Sequence, residues 1–346
     1  MTDAWRLTPD ASLQSLNTFG VAARTPCLLE LYDTAALPAV LGMPQMTGAP
    51  WMVLGSGSNV LLADDAPGAV LVFRTEAISR AADRQGHAIV LAQAGVSWHR
   101  LVMWSLQQGL CGLENLALIP GTVGASPIQN IGAYGSEVGE FIARVQVWDL
   151  QAGRQDWLDR AACHFAYRDS VFKQQPGRWL VTAVEFALPL QRAPRVDYAG
   201  VAEELQAMSI ESPGCADVAE AVIRIRRRKL PDPAVLGNAG SFFKNPIVPA
   251  GQAAALLAQW PALPVFGGDG DATRKLSAAW MIEACGFKGY REGDAGVAPS
   301  HALVLVNHGH ASGAQLLALA RRIAGAVQAR FGVAIEPEPR LVGAQW

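Results

Sequence analysis

The chain has 346 residues, past the roughly 250–300 at which one hydrophobic core stops growing, so two or more domains are expected. It is 51% hydrophobic and 17% charged with a formal net charge of −2, which fits a globular protein with a large core and gives no electrostatic reason to expect nucleic acid or an anionic membrane as partner. Cys27, Cys111, Cys163, Cys215 and Cys285 are odd in number, far apart and without a C-x-x-C pair, which argues against a disulfide framework or structural zinc and fits a reducing cytosol.

The first residues lack the apolar core of a signal peptide, and no run reaches about 18 apolar residues, so no membrane insertion is expected. Residues 51–54 read as a buried strand, followed by Gly55, Ser56, Gly57, Ser58 and Asn59 and then by apolar residues 60–62. Residues 70–73 and 89–92 are further strands. Ser97 is placed to cap a helix carrying Leu101, Val102, Ser105 and Leu106 on one face, with Gly109 ending it. Residues 111–139 are rich in Gly, Asn, Ser and Pro without a clear period, the pattern of a segment that wraps something. Strands are expected at 145–150 and 180–190, then a Pro, Arg and Tyr cluster and a short helical patch between about 191 and 213. Asp217 is placed to cap a helix reaching Lys229, where Pro231 and Pro233 stop it and mark a domain boundary. Two helices follow, one from about 272 to 284 and one capped by Ser312 with Leu316, Leu319, Ala320, Ile323 and Val327 on one face. Mixed strands and helices in this order give an α+β or α/β protein of at least two modules.

The segment 237–246 carries the strongest chemical signal. Two glycines precede Ser241, two aromatics, Lys244 and Asn245, so apolar rings stand beside polar groups as in a site that excludes water. The turn 55–59 follows a strand as a dinucleotide fingerprint does, but Val60 replaces the third glycine and Pro67-Gly68 comes too soon for a Rossmann helix. It reads as an anion nest of backbone N–H groups or as a plain turn between strands. The tract 119–135 lacks a P-loop lysine; its small residues and amides suit a large flat cofactor lying against backbone, or a long structural loop. Tyr167, Arg168 and Asp169 put a permanent cation beside a phenol and a carboxylate, either to hold a substrate carboxylate or as a surface ion pair. The basic run 224–229 is expected to form a mostly solvated helix face, with Lys229 singled out at its end. His301, His308 and His310 have no metal-ligand spacing, so no metal is expected. Glu336 and Glu338, stiffened by Pro337 and Pro339, form a tail able to return to a site.

Taken in order, 17–20, 55–61, 119–135, 167–173, 229–233, 237–246, 275–278 and 336–343 resemble the UDP-N-acetylenolpyruvoylglucosamine reductase family, flavoenzymes of peptidoglycan precursor synthesis. Residues around Tyr198 look like the longer subtype with an extra tyrosine loop over the substrate. The resemblance implies an FAD-binding fold of the vanillyl-alcohol-oxidase (PCMH) type in two subdomains, 1–75 and 76–230 with the tyrosine loop at about 191–213, plus a C-terminal α+β substrate-binding domain, 231–346. It also implies a cytoplasmic enzyme, expected as a monomer, with non-covalent FAD and with NADPH and a nucleotide sugar as substrates. Ser241 matches the family's proton donor, and Arg168 and Glu338 its other two active-site residues. Tyr198, Lys229, Asn245 and Tyr167 match substrate-binding positions. Gly55, Ser56, Gly57, Ser58, Asn59, Pro120, Gly121, Thr122, Gly124, Ala125, Ser126, Gly132, Ala133 and Tyr134 match those that hold FAD. Pro339 departs from the family, which more often has a branched apolar residue there, and puts the strand pairing of the tail in doubt. The competing expectation is another FAD-dependent oxidoreductase of this fold, acting on an alcohol or sugar.

Overall fold

The run Trp179–Pro189 is apolar at almost every position, and in a computed structural model of the protein, which describes residues 4–198, 200–268 and 270–346, it is the centre of a five-stranded antiparallel sheet. Ile142–Asp149 flanks it on one side with Val145 opposite Val184, and His87–Gln93 on the other with Val90 opposite Phe186. Arg154–Asp159 and Ile78–Arg80 form the edges. A strand buried on both faces needs a cover, and the helices Trp98–Gln107 and Cys215–Lys229 share an apolar cluster with it that includes Trp98, Leu101, Val222 and Phe186. A second cluster, around Leu29, Leu31, Val40 and Leu71, holds a small sheet in which Ala69–Phe73 runs parallel to Leu28–Leu31 and to Trp51–Val53.

Packing divides the chain into two units. The first holds the chain up to Asp10, Pro26–Ser56 and Gly68–Arg227; the second holds Ala11–Thr25, Gly57–Pro67 and Arg228–Trp346. In the second unit Gly237–Ser241, Val304–Asn307, Ala295–Val297 and Arg291–Glu292 form an antiparallel sheet. The helix Gly313–Phe331 packs on it and on Val60–Leu62. Its start matches expectation, with Ser312 Oγ accepting from Gln315 N at 3.2 Å, and the expected face is buried. Gly237 is required by space: a Cβ there would lie 2.2 Å from the Phe19 carbonyl oxygen.

Four expectations change. The helix over 272–284 is shorter, because Gly270–Leu276 is a strand between Ile247–Pro249 and Val265–Gly268, and the helix begins at Ala278 with Ser277 as cap. Pairing on both sides outweighs a helical pattern this short. Ser97 makes no side-chain cap; it bridges Thr122 instead. Asp217 sits inside the first turn of its helix, accepting from Gly214 N at 2.8 Å. Cys111 and Cys215 form a disulfide with Cα atoms 5.8 Å apart. Their separation of 104 residues hid the pair, since spacing along the chain says nothing about distance once the helix Cys215–Lys229 is folded onto the first cluster.

Candidate active site

In the first unit the two glycine-rich tracts meet. A Cβ added to Gly55 would lie 3.1 Å from Thr122 Oγ1 and 3.6 Å from Ala125 Cβ, so the gap between them exists because Gly55 has no side chain. The tract containing Pro120, Gly121 and Thr122 is laid along residues 94–98: Trp98 N donates to Gly121 O at 3.0 Å, Val123 N to Val96 O at 2.8 Å and Gly124 N to Ala94 O at 2.9 Å. Ser126 Oγ is turned inward to Val123 O. Further on, Gly132–Ala133 and Ser136–Glu137 pair across Tyr134 and Gly135, whose φ angles of 47° and 80° give a tight hairpin turn. Small side chains, backbone amides and the hydroxyls of Ser56 and Thr122 fit the pyrophosphate and flat ring of a flavin nucleotide. Gly57, Ser58 and Asn59 belong to the second unit. There the next residues form a strand, not a Rossmann helix, and Gly57 O accepts from Thr18 N at 3.1 Å.

Arg168 lies beside the hairpin. Its Nη2 donates to Gly132 O at 3.0 Å, and its guanidinium stands 5.3 Å from the centre of the Tyr167 ring. The backbone at Arg168 is left-handed, φ 55°, and Lys173 Nζ holds its carbonyl at 2.7 Å. Asp169 accepts from Gln174 Nε2 at 2.8 Å.

Ser241 ends its strand after a bulge that separates the Asn238 and Ser241 pairings. Gly240 N bonds Asn238 Oδ1 at 3.0 Å, and Gly240 is left-handed, which re-aims the residue that follows. Phe242 and Phe243 are fully buried in an edge-to-face chain from Phe19 to Trp346. The tail does return. Glu338 N donates to Phe242 O at 2.7 Å, Arg340 N to Asn59 O at 3.0 Å, and Arg340–Val342 pairs in parallel with Val60–Leu62. Extended chain alternates its donors, so Pro339 falls between the two N–H groups the pairing uses, and the doubt it raised is removed. Ser241, Glu338 and Asn59 are thus held in one neighbourhood of the second unit, with Asn59 Nδ2 3.4 Å from Glu338 O.

Among the expected substrate ligands, Lys229 is exposed at the end of its helix, its carbonyl fixed by Ser300 Oγ at 2.9 Å. Asn245 Oδ1 accepts from Ala278 N at 3.0 Å, so this amide also starts the following helix. Tyr198 is 49% exposed, and its ring meets that of Tyr134 edge-on at 5.6 Å. Tyr167 is 36% exposed.

The surroundings of two residues were not legible in the sequence. Arg226 does not join the solvated face of Arg224, Arg227 and Arg228; it turns inward, hydrogen-bonds Tyr134, and burial pushes it below the ordinary arginine value. Its place two turns after buried Val218 and Ala219 was the available signal. His301 sits beside Lys229; burial, and then the charges of Lys229 and Lys288, push it below the usual histidine value. No groups of His, Cys, Asp or Glu that could hold a metal occur among the described residues, and no described helix is long and apolar enough to cross a membrane.

The small-residue cradle of the first unit fits a flavin nucleotide, and the chain is an FAD-dependent oxidoreductase. Residues 26–158 match the FAD binding domain model. Residues 232–342 match the model of the UDP-N-acetylenolpyruvoylglucosamine reductase C-terminal domain. Reductases of that name from Xanthomonas euvesicatoria and Xanthomonas oryzae are 60% identical, the first over 100% of both chains and the second over 99% of this chain and 98% of its own. The crystal structure of the corresponding reductase from Thermus caldophilus superposes with a TM-score of 0.67 over 98% of this chain and 99% of that one, at 24% identity, and so shares the fold. The chain belongs to the UDP-N-acetylenolpyruvoylglucosamine reductase family.

Proposed function

We propose that the protein reduces the enolpyruvyl ether of UDP-N-acetylglucosamine to UDP-N-acetylmuramate with NADPH and FAD, as a cytoplasmic monomer. The three-part division at 75/76 and 230/231 belongs to the same reading. The observation that carries it is the tail: a glutamate delivered to the strand end next to Ser241 by its own backbone, and bonded there to Asn59.

Gly55, Ser56, Thr122, Ala125 and the hairpin at Gly132, Ala133 and Tyr134 would hold FAD. Bound there, FAD would supply the hydride chemistry that links NADPH to the terminal carbon of the substrate double bond. The electron pair of the double bond then rests on the neighbouring carbon and spreads into the substrate carboxylate. Arg168 carries a permanent charge and a preset fork to stabilise it, usually the largest contribution in such catalysis. Ser241 Oγ gives its proton to that carbon; serine is a weak acid, so the step depends on the basicity of the acceptor. Glu338 orients the reacting groups, and Asn245 and Lys229 orient the nucleotide. Tyr198 and Lys229 contact the diphosphate.

The purified protein should absorb near about 370 and 450 nm, lose the long-wavelength band on adding NADPH and regain it on adding the nucleotide sugar without oxygen. A protein that takes up no FAD, or whose reduced flavin ignores the nucleotide sugar, refutes the proposal.

A further inference from the structure

The described residues 190–198, after the strand that ends at Pro189, belong to no sheet, yet they include Tyr198. Their fastening converges on Arg195. The Arg195 guanidinium donates to the carbonyl of Gly135, to Ser136 Oγ at 3.2 Å and to Glu140 at 3.1 and 3.3 Å. Its own carbonyl accepts from Asn115 Nδ2 at 3.1 Å, and the same amide donates to Tyr134 O at 3.1 Å. Asn115 is buried. Both ends of Arg195 are therefore tied to the hairpin turn at Tyr134 and Gly135, and the ring of Tyr198 rests on Tyr134.

We propose that Arg195 is a positioning residue that clamps the 191–198 segment to the hairpin turn and so sets Tyr198 for the nucleotide sugar. This deepens the proposed function and rests on Tyr198 being a substrate ligand. The Arg195–Glu140 pair is about a third exposed on both sides, so as a lone ion pair it is worth little. What distinguishes it is the fork, which reaches a carbonyl, a hydroxyl and a carboxylate at once, a geometry lysine cannot reproduce. The carboxylate is preset as well, because Glu140 Oε1 accepts from Glu137 N at 3.0 Å. Tyr198, half in solvent, has its ring contact on a turn whose left-handed tyrosine is itself costly, so fixing the turn and fixing the ring are one task.

The test is Arg195→Ala and Arg195→Lys in the flavin-loaded protein. Without substrate, amide exchange of residues 191–198 should speed up by about 10-fold in Arg195→Ala. With substrate, KM for the nucleotide sugar should rise about 10-fold while flavin reduction by NADPH changes less than about twofold, and Arg195→Lys should fall between. Unchanged exchange and KM, or equal losses in both half-reactions, overturn the proposal. If Arg195→Ala does not fold, Glu140→Gln decides, since it keeps the acceptor for Glu137 N: a KM rise of about threefold supports the clamp and no rise refutes it. A wild-type protein inactive on the nucleotide sugar refutes the proposed function instead, and the exchange measurement still tests the clamp.

Discussion

Arg168→Ala and Arg168→Lys are expected to damage one half-reaction and spare the other. One N–H of the Arg168 fork is committed to Gly132 O at 3.0 Å, and the Tyr167 ring, 5.3 Å away, supports the guanidinium face. The side chain is therefore held before substrate arrives. Removing one preorganised donor aimed at developing charge costs about 3–4 kcal/mol, or roughly 10²–10³ in rate. Arg168→Ala should accordingly slow oxidation of the reduced flavin by the nucleotide sugar about 10³-fold. Lysine keeps the charge but cannot hold Gly132 and face the substrate with a second N–H, so Arg168→Lys should lose about 10-fold. Anaerobic stopped-flow absorbance separates this step from flavin reduction by NADPH, which should stay within about threefold of wild type. Equal losses in the two steps, or no loss in reoxidation by the nucleotide sugar, would refute the assignment of Arg168 to the developing charge.

Ser241→Ala should leave flavin reduction nearly intact and slow reoxidation by substrate by several decades, which the same instrument reads. Lys229→Ala should mainly raise KM for the nucleotide sugar in steady-state assays; a pure loss of kcat would place it in the chemistry. Without reductant, the unfolded chain should titrate three thiols, Cys27, Cys163 and Cys285, and five after reduction, because Cys111 and Cys215 are joined. In the native protein Cys163, whose pKa burial and then Asp159 push up to about 12, should resist thiol reagents. His301 is held below its usual value by burial and then by Lys229, so the folded state disfavours its proton. That contribution to stability is whole above the ordinary histidine pKa of about 6.5 and is lost as pH falls below it. His301→Gln should flatten the fall in urea midpoint between about pH 7 and 5, and an unchanged slope would dismiss His301 as its source.

Much of the site was legible because its residues are close together in the chain. The run from Gly237 to Pro246 holds the hydroxyl, the shielding rings and the amide within ten positions, so composition alone exposes it. The failure of 55–59 to continue as a helix was equally readable, from Val60 and Pro67. The ends of elements were less legible. Residues 272–276 satisfy a helical pattern until partners on both sides claim them as a strand. The inward turn of Arg226 depends on what its helix packs against, which a run of basic residues does not disclose.

By itself the sequence determined the family and the flavin chemistry, because both are written in short contiguous patterns whose chemistry does not depend on distant parts of the chain. Tertiary structure alone decided that the backbone of Glu338 meets Phe242, next to Ser241, that Cys111 meets Cys215, that Arg195 bonds the hairpin turn, and that Pro339 falls between the donors the tail uses. These are pairings across long separations, set by which backbone donors face which acceptors once the sheets have formed, and no local pattern encodes that geometry.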